Sequence, residues 1–159
     1  MAVTGDTPTF VTAAGPRATR TVPNVDAIEP ELVGFVRSAV RWLDPGFPQK
    51  GTRGERVKGG WKDDQQVETE FTQVEEVTSD GRGIRILRLY RMTEPGPPWE
   101  GAIRVIALGA ANGARLEVRW NFIANESGIR GTSAELTAEG PRHHECVADF
   151  QSWFATPGN

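Results

Sequence analysis

A chain of 159 residues suits one compact domain and should bury roughly 70% of the surface its unfolded form exposes, so it needs no disulfide or metal staple. With 38% hydrophobic and 25% charged residues it is too apolar for wholesale disorder, and no stretch approaches the roughly 18 apolar residues of a membrane span. Eighteen Lys plus Arg against 21 Asp plus Glu leave a net charge of -3, which argues against nucleic acid as a general partner.

Residues 1–25 are rich in Thr, Ala, Gly and Pro, with scattered apolar positions. They are expected to form a loosely held arm or one short edge strand near Thr9 to Thr12. They contain no apolar run of signal-peptide length, so a cytoplasmic location is expected. Residues 26–159 are expected to form a single α+β domain.

Asp26 and Glu29 have the spacing of a capping box, and Pro30 follows where its missing N–H costs nothing. Leu32, Phe35, Val36, Ala39 and Leu43 then form one apolar stripe of a helix, which Asp44-Pro45-Gly46 ends. Pro45 to Gly60 is Gly-rich and reads as a long loop. Beyond it, Val67, Thr69 and Phe71 alternate with Glu68, Glu70 and Thr72 as a strand with one wet face, and a phase slip at Gln73-Val74 suggests a bulge. A turn at Ser79–Gly83 leads into a second strand, Ile84 to Met92. That strand is apolar on both faces, which suggests cover on both sides or a bulge at Ile86-Leu87.

Thr93 to Gly101 reads as a Pro-rich connection containing Trp99, before a third strand from Ile103 to Leu108. Asn112-Gly113 marks a hairpin. In the next strand Leu116, Val118, Trp120 and Phe122 point one way, and Arg115, Glu117, Arg119 and Asn121 the other. Thr132 to Glu139 alternates again. Gly140-Pro141 opens a last helix with Cys146, Val147, Phe150, Trp153 and Phe154 on its apolar face. Without β-helix-β alternation, the expected fold is a curved antiparallel sheet of about five strands, packed by an N-terminal helix and a short C-terminal helix. Leu32, Phe35, Val36, Leu43, Leu116, Val118, Trp120, Phe122, Phe150 and Phe154 should be buried together.

Few residues point to chemistry. His143-His144-Glu145-Cys146 gathers versatile side chains, but adjacent histidines project about 100° apart on a helix and do not chelate one metal. Cys146 lies on an apolar face, which favours an inert thiol over a nucleophile. As the single Cys, it also excludes an intrachain disulfide. The loop from Gly51 to Gly60 suits an anion nest or a solvated loop, and it lacks the Gly-Lys-Ser/Thr ending of a P-loop. Seven carboxylates crowd Asp63 to Asp80; Glu68 and Glu70 share a strand face, where Arg85 or Arg119 would pair with them across the sheet.

Five Trp against one Tyr is the unusual part of the composition. Trp42, Trp120 and Trp153 fall on apolar stripes. Trp61 and Trp99 adjoin Gly or Pro and would either line a recognition site or cap the core.

The leading expectation is a non-catalytic binding or interaction module, with a sheet-lined pocket or aromatic patch that takes a small molecule or a protein. Its candidate residues are Trp61, Trp99, Arg53, Arg56 and Lys58. No motif calls for a cofactor, a metal or a membrane. The alternative is a small cofactor-independent enzyme, of isomerase or cyclase type, with an acid/base pair in the sheet pocket. A third reading is anion or nucleic-acid recognition by Arg53, Arg56, Lys58 and Lys62, which ionic strength would expose.

Overall fold

The computed structural model describes residues 9–13, 21–22, 28–49, 52, 54, 67–92, 99–110, 113–125 and 128–155, with side chains described for 28–49, 52, 54, 76–87, 101–110, 113–123 and 134–154. Helix α1 spans Glu29–Leu43, with Ile28 as its N-cap and no side-chain cap. The N-cap thus falls two residues beyond Asp26, the expected cap, which itself lies outside the described residues. Glu29 is already helical and buried, and it meets the positive end of the helix dipole from within the first turn. The anticipated stripe is buried, and Val33 and Val40 widen it. At the other end the Asp44 N–H bonds to the Val40 carbonyl at 2.8 Å, and Pro45 cannot continue the ladder.

Five long strands follow: β3 (Val67–Val77), β4 (Gly83–Met92), β5 (Trp99–Leu108), β6 (Arg115–Asn125) and β7 (Gly128–Glu139). Each pairs antiparallel with the next, and helix α2 (His143–Ala155) closes the order. Two short strands, β1 (Thr9–Ala13) and β2 (Thr21–Val22), both pair with the outer edge of β7. The class is therefore α+β, an unclosed antiparallel sheet with both helices on one face.

The β3–β4 register shifts between Val74 and Glu76, beside the expected bulge. β4 runs unbroken, so no bulge at Ile86-Leu87 explains its double apolarity; Ile86 is buried while Leu87 is half-exposed on the opposite face. β5 begins at Trp99 and β7 at Gly128, both earlier than their apolar alternation suggests. Backbone pairing, rather than apolarity, extends them. Gly83 allows the sharp return into β4: a Cβ there would sit 1.7 Å from the Glu76 carbonyl oxygen.

Helix α1 lies over β5 and β6, and α2 over β7 and β1. Between helices and sheet are buried Ile84, Ile103, Val105, Leu116, Val118 and Leu136. Phe35 packs edge-on against Phe150, with centroids 5.8 Å apart, and stacks on Trp153 at 5.3 Å. The expected core is buried except for Phe154, which packs on its margin. Of the three Trp assigned to apolar stripes, only Trp120 is fully enclosed; Trp42 and Trp153 are half-buried. Trp42 instead uses its polar edge, donating from Nε1 to Asp149 at 2.6 Å beneath the Arg142 guanidinium. Among the described residues, no helix is long and apolar enough to cross a membrane.

Candidate functional site

The sheet has two unlike faces. Neither helix covers the second one, where the period-two alternation places the charged residues of β5, β6 and β7. Antiparallel register sets them in rows: Arg115 faces Glu139, Glu117 lies between Ile106 and Thr137, and Arg119 lies between Arg104 and Glu135. Together Arg104, Arg115, Glu117, Arg119, Glu135, Thr137 and Glu139 line a depression of about 270 Å³.

Glu117 anchors this depression. One carboxylate oxygen accepts from Arg104 Nε and the other from Arg115 Nη2, each at 2.6 Å. Burial by itself would raise the Glu117 carboxyl, but the hydrogen bond and charge of Arg104, reinforced by Arg115, outweigh it and hold the group below the usual glutamate range. Its two oxygens are therefore committed, and the group stays ionised at neutral pH. Arg119 differs. Its Nε is shut off from solvent and meets no hydrogen-bond acceptor, although Glu135 lies across the strand and accepts from Asn121 at 3.4 Å. Arg119 also stands directly opposite Arg104, an unfavourable like-charge pairing that a negative group would relieve.

The residues singled out from the sequence fall elsewhere. Trp61, Arg53, Arg56 and Lys58 lie outside the described residues, as does Lys62. The backbone of Trp99 is described and corrects one expectation. It is no loop residue but the first of β5, paired with Met92 and Ala124, and it continues the two-residue period of Gly101, Ile103 and Val105. Glu68 and Glu70 are in β3, in register with Arg91 and Leu89 of β4. The expected partners are thus displaced: Arg85 faces Val74, and Arg119 belongs to β6, which does not adjoin β3.

The His143–Cys146 segment opens α2. Cys146 is fully buried and donates from Sγ to the Ala39 carbonyl at 3.2 Å. Burial, with lesser contributions from the charges of Asp149 and Glu145, pushes its thiol up to about 12. A thiol so placed is no nucleophile at neutral pH. The His143 and His144 rings lie 4.1 Å apart, and His143 Nδ1 is 3.3 Å from the Gly140 carbonyl, which assigns it the proton. No group of three His, Cys, Asp or Glu side chains among the described residues could hold a metal ion.

The alternation of β6 puts Arg115, Glu117 and Arg119 on the strand face opposite Leu116, Val118 and Trp120, and by itself marks no site there. The missing information was the register of β5 and β7, which brings Arg104, Glu135, Thr137 and Glu139 beside them. The chain matches no family model, no curated protein and no solved structure.

Proposed function

We propose that the protein is a non-catalytic binding or interaction module and that the helix-free face of its sheet carries the recognition surface. One observation carries this reading. In the depression on that face Glu117 is fixed by two guanidinium groups, while Arg119 keeps a buried donor that its own chain leaves unsatisfied. Fixed charges and an unused guanidinium donor are the ingredients of ionic recognition, because the geometry is set before a partner arrives.

The same residues give an enzyme less support. General acid/base work needs a carboxyl able to change its protonation near neutral pH, and Glu117 is held in the opposite direction. Glu135 and Glu139 are four residues apart on one strand, roughly 13 Å along it, too far to share a reacting group. Trp61 remains a candidate for an aromatic contribution, and Trp99 one from a register position on the other face of β5; a cytoplasmic location with a small-molecule or protein partner belongs to the same proposal.

Amide-shift mapping of the isotope-labelled protein tests it, both on dilution and on titration with small carboxylates, amines and zwitterions. Changes grouped on the open face of β5–β7 are expected. Changes confined to the helix-covered face, or none in either series, would refute the reading.

A further inference from the structure

We propose that a second copy of this chain docks on the open sheet face, about a two-fold axis running parallel to the strands between β6 and β7. The inference rests on the sheet-face reading above and names its partner. Charge on that face is segregated across the strands. Arg104, Arg115 and Arg119 are on β5 and β6, and Glu135 and Glu139 are on β7. Among these rows the exception is Glu117, whose two oxygens are already held by Arg104 and Arg115; Glu100 of β5 and Arg130 of β7 occupy register positions beyond them, level with Ile123. Over the rows from Arg115 to Arg119 the face is therefore positive on one side of the β6–β7 seam and negative on the other.

A patch of that kind complements itself. Rotation about an axis along the seam lays β6 of one copy over β7 of the other without shifting height along the strands. Because Arg119 is in register with Glu135, and Arg115 with Glu139, each guanidinium then meets the partner's carboxylate at its own level. Two copies make four such pairings, as an isologous contact requires. The operation also relieves the awkward feature of the isolated chain, since the partner's Glu135 brings a negative group to Arg119 where it stands opposite Arg104.

The flanking rows agree with this arrangement. Ile106, Glu117, Thr137 and Phe10 lie in one row across β5, β6, β7 and β1. The same rotation brings half-buried Ile106 over the position of the partner's Phe10, so apolar register positions border the ionic ones. Four strands about 4.8 Å apart and eight residues at about 3.3 Å give a footprint of about 500 Å² per copy, or about 1,000 Å² in all. That is the low end for a specific interface, so the dimer should be weak, and sheets stacked at about -30° would keep the central rows in closest match.

Sedimentation equilibrium, from micromolar to near-millimolar protein, tests the proposal. The wild-type chain should show a reversible monomer–dimer equilibrium. Arg119→Glu and Glu135→Arg, each placing like charges together twice, should each weaken it about tenfold or more. Mixing the two variants should restore association, because the carboxylate introduced at position 119 of one copy then meets the guanidinium introduced at position 135 of the other. The double variant Arg119→Glu/Glu135→Arg should restore it alone. That rescue separates lost docking from a damaged fold. A monomer at every concentration would overturn the second copy as partner and leave the sheet-face reading to the amide-shift experiment. Self-association indifferent to all these variants would overturn docking through this face, and the amide-shift experiment would still decide the sheet-face reading.

Discussion

Replacing Glu117 by Gln keeps the shape of the side chain and removes the charge that Arg104 and Arg115 share. The carboxylate is 10% exposed, and its partners are 37% and 49% exposed. Hydrogen bonds to charged groups contribute about 1.5–3 kcal/mol each when sheltered; with both arginines this wet, a total of about 1–2 kcal/mol is expected. The folded carboxyl is held below its ordinary value of 4.5, so its stabilisation is complete above that value and fades as pH falls through the lower folded one. Urea denaturation of wild type and Glu117→Gln should therefore differ at neutral pH and converge in acid, where the wild-type group is itself neutral. A gap that persists unchanged in acid, or no gap at neutral pH, would refute the assignment of Glu117 as the ionised anchor of the open face.

Other consequences are more local. Phe150 is fully buried among Phe35, Trp153 and Phe154, so Phe150→Ala should cost about 3–5 kcal/mol in denaturation, and Phe154→Ala less. Cys146, buried and with its thiol raised to about 12, should react slowly with an alkylating reagent in the native state and rapidly in urea. Rapid native labelling would restore the nucleophile reading. Gly83→Ala should lower the thermal midpoint sharply, because the new methyl meets the backbone of β3 rather than a side chain that can move away; an unchanged midpoint would show that the β3–β4 return is looser than described.

Much of the fold was legible because it follows from local periodicity. Leu32, Phe35, Val36, Ala39 and Leu43 repeat at helical spacing, and Leu116, Val118, Trp120 and Phe122 alternate, and all of them are buried. Signals that depend on a partner strand were not legible. Trp99 follows two prolines, which resembles a loop, yet Met92 and Ala124 supply backbone partners that extend β5 to it. The open face was hidden for the same reason. The alternation on β6 shows that Arg119 faces away from the core. Only the paired registers reveal that Arg104 stands on one side of it and Glu135 on the other. Trp61 and the Arg53–Lys58 loop stand out in the sequence because they fall outside its periodic segments, whereas the depression on the open face arises within them.

The open face can recognise a partner at low conformational cost only if the sheet beneath it is stiff, and the helix side supplies that stiffness. At the end of α1, buried Asp44 accepts the Gly46 N–H at 3.1 Å and pairs with Arg82 in the β3–β4 turn. About two helical turns earlier, Arg37 reaches Glu76 of β3 at 3.0 Å. These two ties fasten α1 to the far side of the sheet, while its apolar stripe lies over β5 and β6. At the opposite edge, α2 packs on β7 and β1, and its Cys146 bonds back to the α1 backbone. The helices thus brace the sheet across its width, from β3 to β1. Each strand that carries an open-face charge is held in register from behind, so Arg104, Glu117 and Arg119 keep their spacing without relying on one another. Rigid backbone of this kind leaves only side-chain rotamers to be ordered when a partner arrives, about 0.5–1.5 kcal/mol for each. That is a small enough cost for a shallow ionic surface to be useful, so a sheet braced in this way would let the proposed recognition face work with little concavity.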